Sequence, residues 1–272
     1  HAEEVYEGEA VDVLPQLIRA GGSPGGARPK ILVGMSGERL ISGESALPRG
    51  YDPWMIKLAA RSDLPDAGPI VYAYALMARA AGLEMEEVRL VEVDRRHRYF
   101  AVRRFDRPGG NQRRHLHTFG DLIHANFRVP GNDYRQLLKV TLALTRNQAD
   151  VLRTFVQMVF NVAAHNRDDH VKNFAYLMGP DGEWALSPAY DLTHAVGPGG
   201  EHTMTVMGEG RSPGREHCLE LAAQVGIKRR EAMAVFDRVD AALARWPQFA
   251  EQAGVTRKRR AQIAGSHRRM GE

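Results

Sequence analysis

The strongest constraint on the fold is a change in the period of the apolar residues part-way along the chain. Before about residue 105 the apolar runs are short and strand-like: Ile31-Leu32-Val33, Trp54-Met55-Ile56-Lys57-Leu58, Val88–Val93 and Tyr99–Arg103. Only the Ala-rich stretch from Ile70 to Ala81 breaks the series, and its composition favours a helix. The last two strands flank the charged turn Asp94-Arg95-Arg96-His97 and are expected to pair. The segment Phe105-Asp106-Arg107-Pro108-Gly109-Gly110 interrupts the pattern and reads as a link. Beyond it the spacing turns helical. Thr145-Arg146-Asn147-Gln148 resembles a capping box, and Leu152, Phe155, Val159 and Val162 then form one apolar helix face. Phe174–Met178 and Glu183–Leu186 read as a hairpin around Pro180-Asp181-Gly182, and helices are expected near His217–Val225 and Arg230–Arg245. The expectation is an α+β chain with a β-rich first lobe, residues 1–107, and a mostly helical second lobe, residues 108–272.

Composition sets outer limits. The 272 residues, 43% hydrophobic and 26% charged, suffice for a packed core. No run approaches the roughly 20 apolar residues of a membrane span, and no secretory signal is visible. A single cysteine, Cys218, excludes an intramolecular disulfide framework, which fits a cytoplasmic protein. The net charge of +4 is a mild basic bias, too small to diagnose nucleic-acid binding. The chain opens on His1 rather than Met, read as the mark of a fragment or trimmed chain.

The chemistry concentrates in Asn166-Arg167-Asp168-Asp169-His170-Val171-Lys172-Asn173 and, past the hairpin, Tyr190-Asp191. An Asp, an Asn five residues on and a second Asp beyond two strands match the spacing of phosphoryl-transfer sites. There one carboxylate orients the attacking hydroxyl, and the amide oxygen and the other carboxylate hold Mg²⁺ on ATP. Asp168 is the candidate base, and Asn173 and Asp191 are the candidate Mg²⁺ ligands; the competing reading of Asp191 is a helix cap before Leu192-Thr193. His170 and Lys172 lie within reach of phosphate oxygens. Tyr190 either stacks on a nucleotide or fills the core, with core favoured. Asp168, Asp169, His170 and Asp191 also allow a metal phosphohydrolase, although the remaining histidines show no zinc spacing. His115 and His117 alternate and are read as structural. The glycine-rich stretch Gly21–Lys30 can lay backbone N–H groups against phosphates but is not a Walker A motif. Lys57, between apolar neighbours in a strand, needs an anionic partner if buried and is otherwise a snorkelling surface lysine. The basic runs at Lys228–Arg230, Arg257–Arg260 and His267–Arg269 are read chiefly as solvated helix faces.

Taken together, Ser23–Lys30, Ile56-Lys57-Leu58, Arg104–Arg107, His115–Thr118, Asn166–Phe174 and Leu186–Leu192 resemble the HipA-like family of serine/threonine kinase toxins from bacterial toxin–antitoxin systems. The resemblance implies a two-lobed protein-kinase-like fold using ATP and Mg²⁺. Asp168 is then the proton acceptor, Asn173 and Asp191 bind Mg²⁺, and Lys57 contacts ATP phosphate. Gly25, Gly26, Ala27, Arg28, Pro29 and Lys30 form the phosphate loop. Arg103 and Phe105 form the adenine-holding hinge, and His170, Lys172 and Tyr190 line the nucleotide site. Ser23 corresponds to the autophosphorylated serine that shuts such enzymes down. The implied partners are a helix-turn-helix antitoxin (HipB-like), operator DNA reached through it, and a protein substrate such as glutamyl-tRNA synthetase or another aminoacyl-tRNA synthetase. An N-terminal subdomain often precedes this region in the family. Two positions depart from the pattern: Arg103 and Val71 each stand where an acidic residue is expected. The alternatives are a weakly active or inactive kinase-like co-repressor that binds an antitoxin, and a small-molecule kinase of the aminoglycoside type.

Overall fold

The computed structural model describes residues 7–20, 29–43, 46–58, 66–94, 97–109, 111–126 and 130–271. They divide into two compact units: residues 1–72, 86–114 and 253–255 in one, and 73–85, 115–252 and 256–272 in the other.

The first unit is built on β1 (Glu7–Glu9), α1 (Ala10–Ala20), β2 (Lys30–Ser36), β3 (Arg39–Ser42), β4 (Asp52–Lys57), the start of α2 (Ala67–Ala80), β5 (Val88–Glu92) and β6 (Arg98–Arg103). The strands form one antiparallel sheet in the order β1-β3-β2-β4-β6-β5. β2 alternates over its first half, burying Ile31 and Val33, as a half-covered strand must. Val13, Leu14 and Leu17 of α1 close over Ile31, Val33, Leu40, Trp54 and Ile56 to make the core of this unit. Gly68 shows why α2 begins with so small a residue: a Cβ there would lie 2.2 Å from the Arg98 carbonyl oxygen. Val71, one turn on, is only 5% exposed and belongs to the apolar core.

The second unit contains β7 (His115–Thr118), α3 (Phe119–Leu122), β8 (Asn132–Asp133), α4 (Tyr134–Thr145), α5 (Gln148–Ala163), β9 (Ala175–Met178), β10 (Trp184–Leu186), β11 (Met204–Thr205), α6 (Arg215–Gln224), α7 (Arg229–Ala244), α8 (Trp246–Gln252) and α9 (Arg257–Ala264). β9 and β10 form the expected hairpin, with Gly182 at φ +79° in its turn, and β7 adds to the free side of β9. β8 and β11 make a short parallel pair. His115 and His117 share one face of β7 and pack edge-on against Trp184, with ring centroids 5.7 and 6.1 Å away.

Two local expectations are corrected here. Thr145 does not cap the helix that follows: it ends α4, and Arg146 turns the chain at φ +52°. Asn147 is the cap, its Oδ1 accepting from the Ala149 N–H at 3.0 Å. The second correction concerns α5, which is buried almost all round rather than along one face. The reason lies in its neighbours, because α4 and α7 both pack against it. The chain therefore buries polar residues on it, and each finds a partner. Asp150 accepts from Arg153 at 2.9 Å and from the Leu186 N–H of β10 at 3.3 Å. Asn161 donates to the Tyr134 hydroxyl at 3.0 Å.

Two predictions come from this packing. Gly120 of α3 lies against Val171, and a Cβ at residue 120 would sit 2.7 Å from Val171 Cγ2. Gly120→Ala is expected to destabilise the protein by about 1–3 kcal/mol in a denaturant titration, the usual cost of an overpacked contact. The second concerns pH. His165 stacks on His194 with ring centroids 5.4 Å apart, and His267 packs against Tyr74 and Trp246. Burial first, then the cation of Arg167 and the neighbouring His194, pushes His165 down to about 4. Burial, then His194 and His165, pushes His267 down to about 4. An unfolded histidine titrates near 6.5. Between roughly pH 6.5 and 4 the unfolded chain therefore binds protons that the folded chain refuses. The contribution is fully present above about pH 6.5 and is lost as pH falls toward 4. Melting temperature is expected to drop across that window, and His267→Asn is expected to flatten the slope.

Candidate active site

The second unit carries the loop 165–173, which leaves α5 and returns into β9. The loop starts with His165 at φ +56°, which turns the chain sharply off the helix end. Asn166 follows, buried, its N–H donating to the Asn161 carbonyl at 2.9 Å and its Nδ2 to Asn161 Oδ1 at 2.9 Å. Arg167 is next, and then Asp168 and Asp169, which point to opposite environments: Asp168 is exposed and Asp169 is fully buried. Val171–Asn173 form one 3-10 turn, closed by the Asn173 N–H to the His170 carbonyl at 2.8 Å.

Three sets of hydrogen bonds hold Asp168, Asn173 and Asp191 on one frame. The Asn173 side-chain Nδ2 donates to the Asp168 carbonyl at 2.7 Å, so its Oδ1 is the atom left to act as an acceptor or ligand. Tyr190, directly before Asp191, donates its hydroxyl to the Lys172 carbonyl, directly before Asn173, at 2.5 Å. Past Asp191 the chain pairs with the loop again, the Ala195 N–H reaching the His165 carbonyl at 3.1 Å and the Arg167 N–H reaching the Ala195 carbonyl at 3.2 Å. Asp191 itself sits at φ +58°, a left-handed conformation that Asp tolerates better than most residues. No helix starts at Leu192, so the helix-cap reading of Asp191 is set aside. Tyr190 is half-buried, with its hydroxyl bonded to the Lys172 backbone. Burial, followed by the negative charges of Asp191 and Asp121, holds its phenol above the ordinary tyrosine range.

The sequence held no signal for the groups behind the loop. Asp169 Oδ2 accepts from the Tyr134 hydroxyl at 2.7 Å and from His202 Nδ1 at 2.8 Å, and Oδ1 accepts from the Thr203 N–H at 2.9 Å. Those donors lie 33 to 35 residues away along the chain. With both oxygens engaged and no solvent exposure, Asp169 cannot serve as a metal ligand, which removes it from the phosphohydrolase reading. Arg167 reaches the Gly200 carbonyl with Nη1 and the Arg211 carbonyl with Nη2 at 2.9 Å. Burial first, then the cations of Arg268 and Arg211, lowers its pKa. His170 and Lys172, both half-buried, occupy the same loop.

The donor chemistry suits Mg²⁺, which takes hard oxygen ligands and needs only one or two carboxylates beside phosphate and water. Asn173 and Asp191 supply one amide oxygen and one carboxylate. Among the described residues, no three of His, Cys, Asp and Glu converge as a metal cluster.

In the first unit, Lys57 ends β4 and Lys30 opens β2, and the two are directly paired across the strands. Lys57 Nζ lies 5.7 Å from the centroid of the Phe100 ring. Two like charges thus stand opposite one another at this end of the sheet. Pro29 accepts the Leu58 N–H at 2.9 Å. Arg103 closes β6 with Nη2 on Asp52 at 2.9 Å, and its backbone N–H donates to the Glu87 carbonyl at 2.9 Å. Phe105 lies in the turn that follows. Ser23, Gly25, Gly26, Ala27 and Arg28 lie outside the described residues.

Comparison with known proteins fits this arrangement. The HipA-like C-terminal domain matches residues 22–246. The protein "Putative kinase Y4dM" of Sinorhizobium fredii is 28% identical over 159 residues, 53% of this chain and 37% of that protein. The match thus spans little more than a third of that relative's length. HipA of Shewanella oneidensis, solved with HipB and its operator DNA, superposes with a TM-score of 0.71 over 97% of this chain and 70% of that one. At 18% identity this likeness concerns the fold. The Helicobacter pylori proinflammatory kinase CtkA matches with a TM-score of 0.47 at 12% identity, over 78% of this chain and 92% of that one. The β-rich and helical units are those of the two-lobed, kinase-like α+β fold, and the chain belongs to the HipA-like family.

Proposed function

We propose that the chain is an ATP- and Mg²⁺-dependent kinase that phosphorylates a serine or threonine hydroxyl on a protein. The observation that carries this reading is the frame that holds an exposed Asp168 beside Asn173 and Asp191, through Asn173 Nδ2 on the Asp168 carbonyl and Tyr190 on the Lys172 carbonyl. Asp168 accepts the proton of the attacking hydroxyl, because its carboxylate faces solvent while its backbone is fixed. Asn173 Oδ1 and Asp191 hold the metal, which when bound neutralises phosphate charge. Lys172 and His170 face the phosphates, and Lys57 with Lys30 supplies cationic charge at the end of the first unit's sheet. Gly25–Arg28 complete the phosphate loop, and Arg103 with Phe105 forms the adenine hinge through backbone groups.

The toxin role follows from family membership. Ser23 is then the self-phosphorylated switch, a HipB-like helix-turn-helix protein is the antitoxin, and operator DNA is reached through it. The Shewanella relative solved with HipB and operator DNA supports that partner. An aminoacyl-tRNA synthetase is the substrate class we favour. A purely binding role would draw on Val71, a buried apolar residue that the family resemblance aligns with the glutamate partner of the phosphate-binding lysine.

Phosphate transfer from radiolabelled ATP separates these readings. Asp168→Asn is expected to lower transfer by about 10²- to 10⁴-fold, the range for a lost general base, with thermal unfolding unchanged because the side chain is exposed. Transfer at the wild-type rate in Asp168→Asn removes it as the base. Asp191→Ala is expected to abolish the Mg²⁺ dependence of ATP binding in calorimetry; an unaltered Mg²⁺ effect rejects Asp191 as a ligand.

A further inference from the structure

We propose that Asp169 is a positioning residue for Asp168, acting through a buried hydrogen bond to His202; this rests on the kinase reading given above. The carboxylate of Asp169 is fully buried and accepts three hydrogen bonds, from Tyr134, His202 and Thr203. His202 is itself buried, its side chain 2% exposed. Because the carboxylate only accepts, His202 Nδ1 carries the proton in this contact.

The geometry around Asp168 makes the point. On its N-terminal side the Arg167 carbonyl accepts from the Thr203 N–H at 3.2 Å and from Thr203 Oγ1 at 3.0 Å. On its C-terminal side the Asp169 carboxylate accepts from His202 and from the same Thr203 N–H. One dipeptide, His202-Thr203, therefore grips both neighbours of the candidate base. Asp168 lies between the two grips, so they fix the backbone on both sides of it. The dipeptide also lies on the stretch that leaves Asp191, and that stretch is fastened to the loop a second time through Ala195. Base and metal-ligand segments thus share one set of hydrogen bonds.

A stability role alone is a poor explanation of Asp169. A buried carboxylate carries a large desolvation cost, and apolar replacements of buried charged groups are often neutral or stabilising. A carboxylate adjacent to the base, bonded only to groups that hold the loop, is better explained by catalytic geometry. Misplacing a reacting group by about 1 Å can cost about 10²-fold in rate.

The test compares wild type, Asp169→Asn, His202→Gln and the double variant in phosphate transfer from MgATP, with folding checked by thermal unfolding. Asp169→Asn keeps the shape but removes one accepting oxygen. Each single variant is expected to lose about 10- to 100-fold in kcat, with KM for ATP within about twofold of wild type because neither side chain contacts nucleotide in this reading. The double variant is expected to lose no more than the worse single variant, since both break one contact. Folded variants with wild-type kcat, a loss confined to KM, or losses that multiply overturn the proposal. Should Asp169→Asn fail to fold, His202→Gln by itself removes the imidazole on Asp169, and an unchanged kcat in that folded variant counts equally against the proposal. If wild type binds MgATP and transfers nothing, the kinase reading falls by itself. Hydrogen exchange then judges the grip: the Arg167 and Thr203 amides are expected to exchange at least about tenfold faster in His202→Gln, and unchanged protection refutes it.

Discussion

The second unit depends on the need of α5 to satisfy its buried polar groups. A helix covered on nearly every side cannot send Asp150, Gln157 or Asn161 to water, and each unpaired group would cost on the order of 1–3 kcal/mol. Their partners are the backbone and side chains of the site itself. Asp150 takes the Leu186 N–H at the end of β10, Gln157 approaches the Asn173 carbonyl at 3.4 Å, and Asn161 takes both Tyr134 and Asn166. Packing and site geometry are therefore one requirement: the helix closes its hydrogen-bond account only when the loop and the hairpin are in place.

The loop built on that helix sorts two adjacent carboxylates. Asp169 turns inward to Tyr134, His202 and Thr203, and Asp168 is left facing solvent. A general base needs access to its substrate and a fixed backbone at once. The pair divides those duties between two residues of identical chemistry, which explains how a flexible-looking glycine-rich stretch, Gly197–Gly200, can follow the site without loosening it: Arg167 ties the Gly200 carbonyl to the loop. Gly197 is held close as well, since a Cβ there would meet the Glu201 carbonyl at 1.9 Å and Arg167 Cβ at 2.7 Å.

Features governed by neighbours in sequence were legible. The β9–β10 hairpin follows from its Pro-Asp-Gly turn, the pairing of β5 with β6 from the charged turn between them, and α6 and α7 from apolar period. The spacing of Asp168, Asn173 and Asp191 was also local enough to nominate all three. Where a choice was decided by geometry, local reading slipped. Thr145 and Asn147 are both good caps by composition, and only the left-handed turn at Arg146 selects Asn147. Leu152 belongs to the apolar stripe in sequence, yet the all-round burial of α5 comes from α4 and α7, which no window along the chain includes. Lys30 and Lys57 lie in separate motifs along the sequence, and sheet register makes them cross-strand partners.

The sequence by itself determined which chemical groups are available: two acidic residues in the loop, an amide five residues after the first, an acid past the hairpin, and the periods that form the elements carrying them. These are properties of residue type and short spacing. The tertiary structure decided which of two neighbouring aspartates is exposed and what holds the other. Tyr134, His202 and Thr203 stand more than thirty residues from Asp169, and only the closing of α4 and of the segment after Asp191 around α5 brings them to it. Identical side chains acquire different roles because burial and hydrogen-bond donors, not residue type, set what a carboxylate can do.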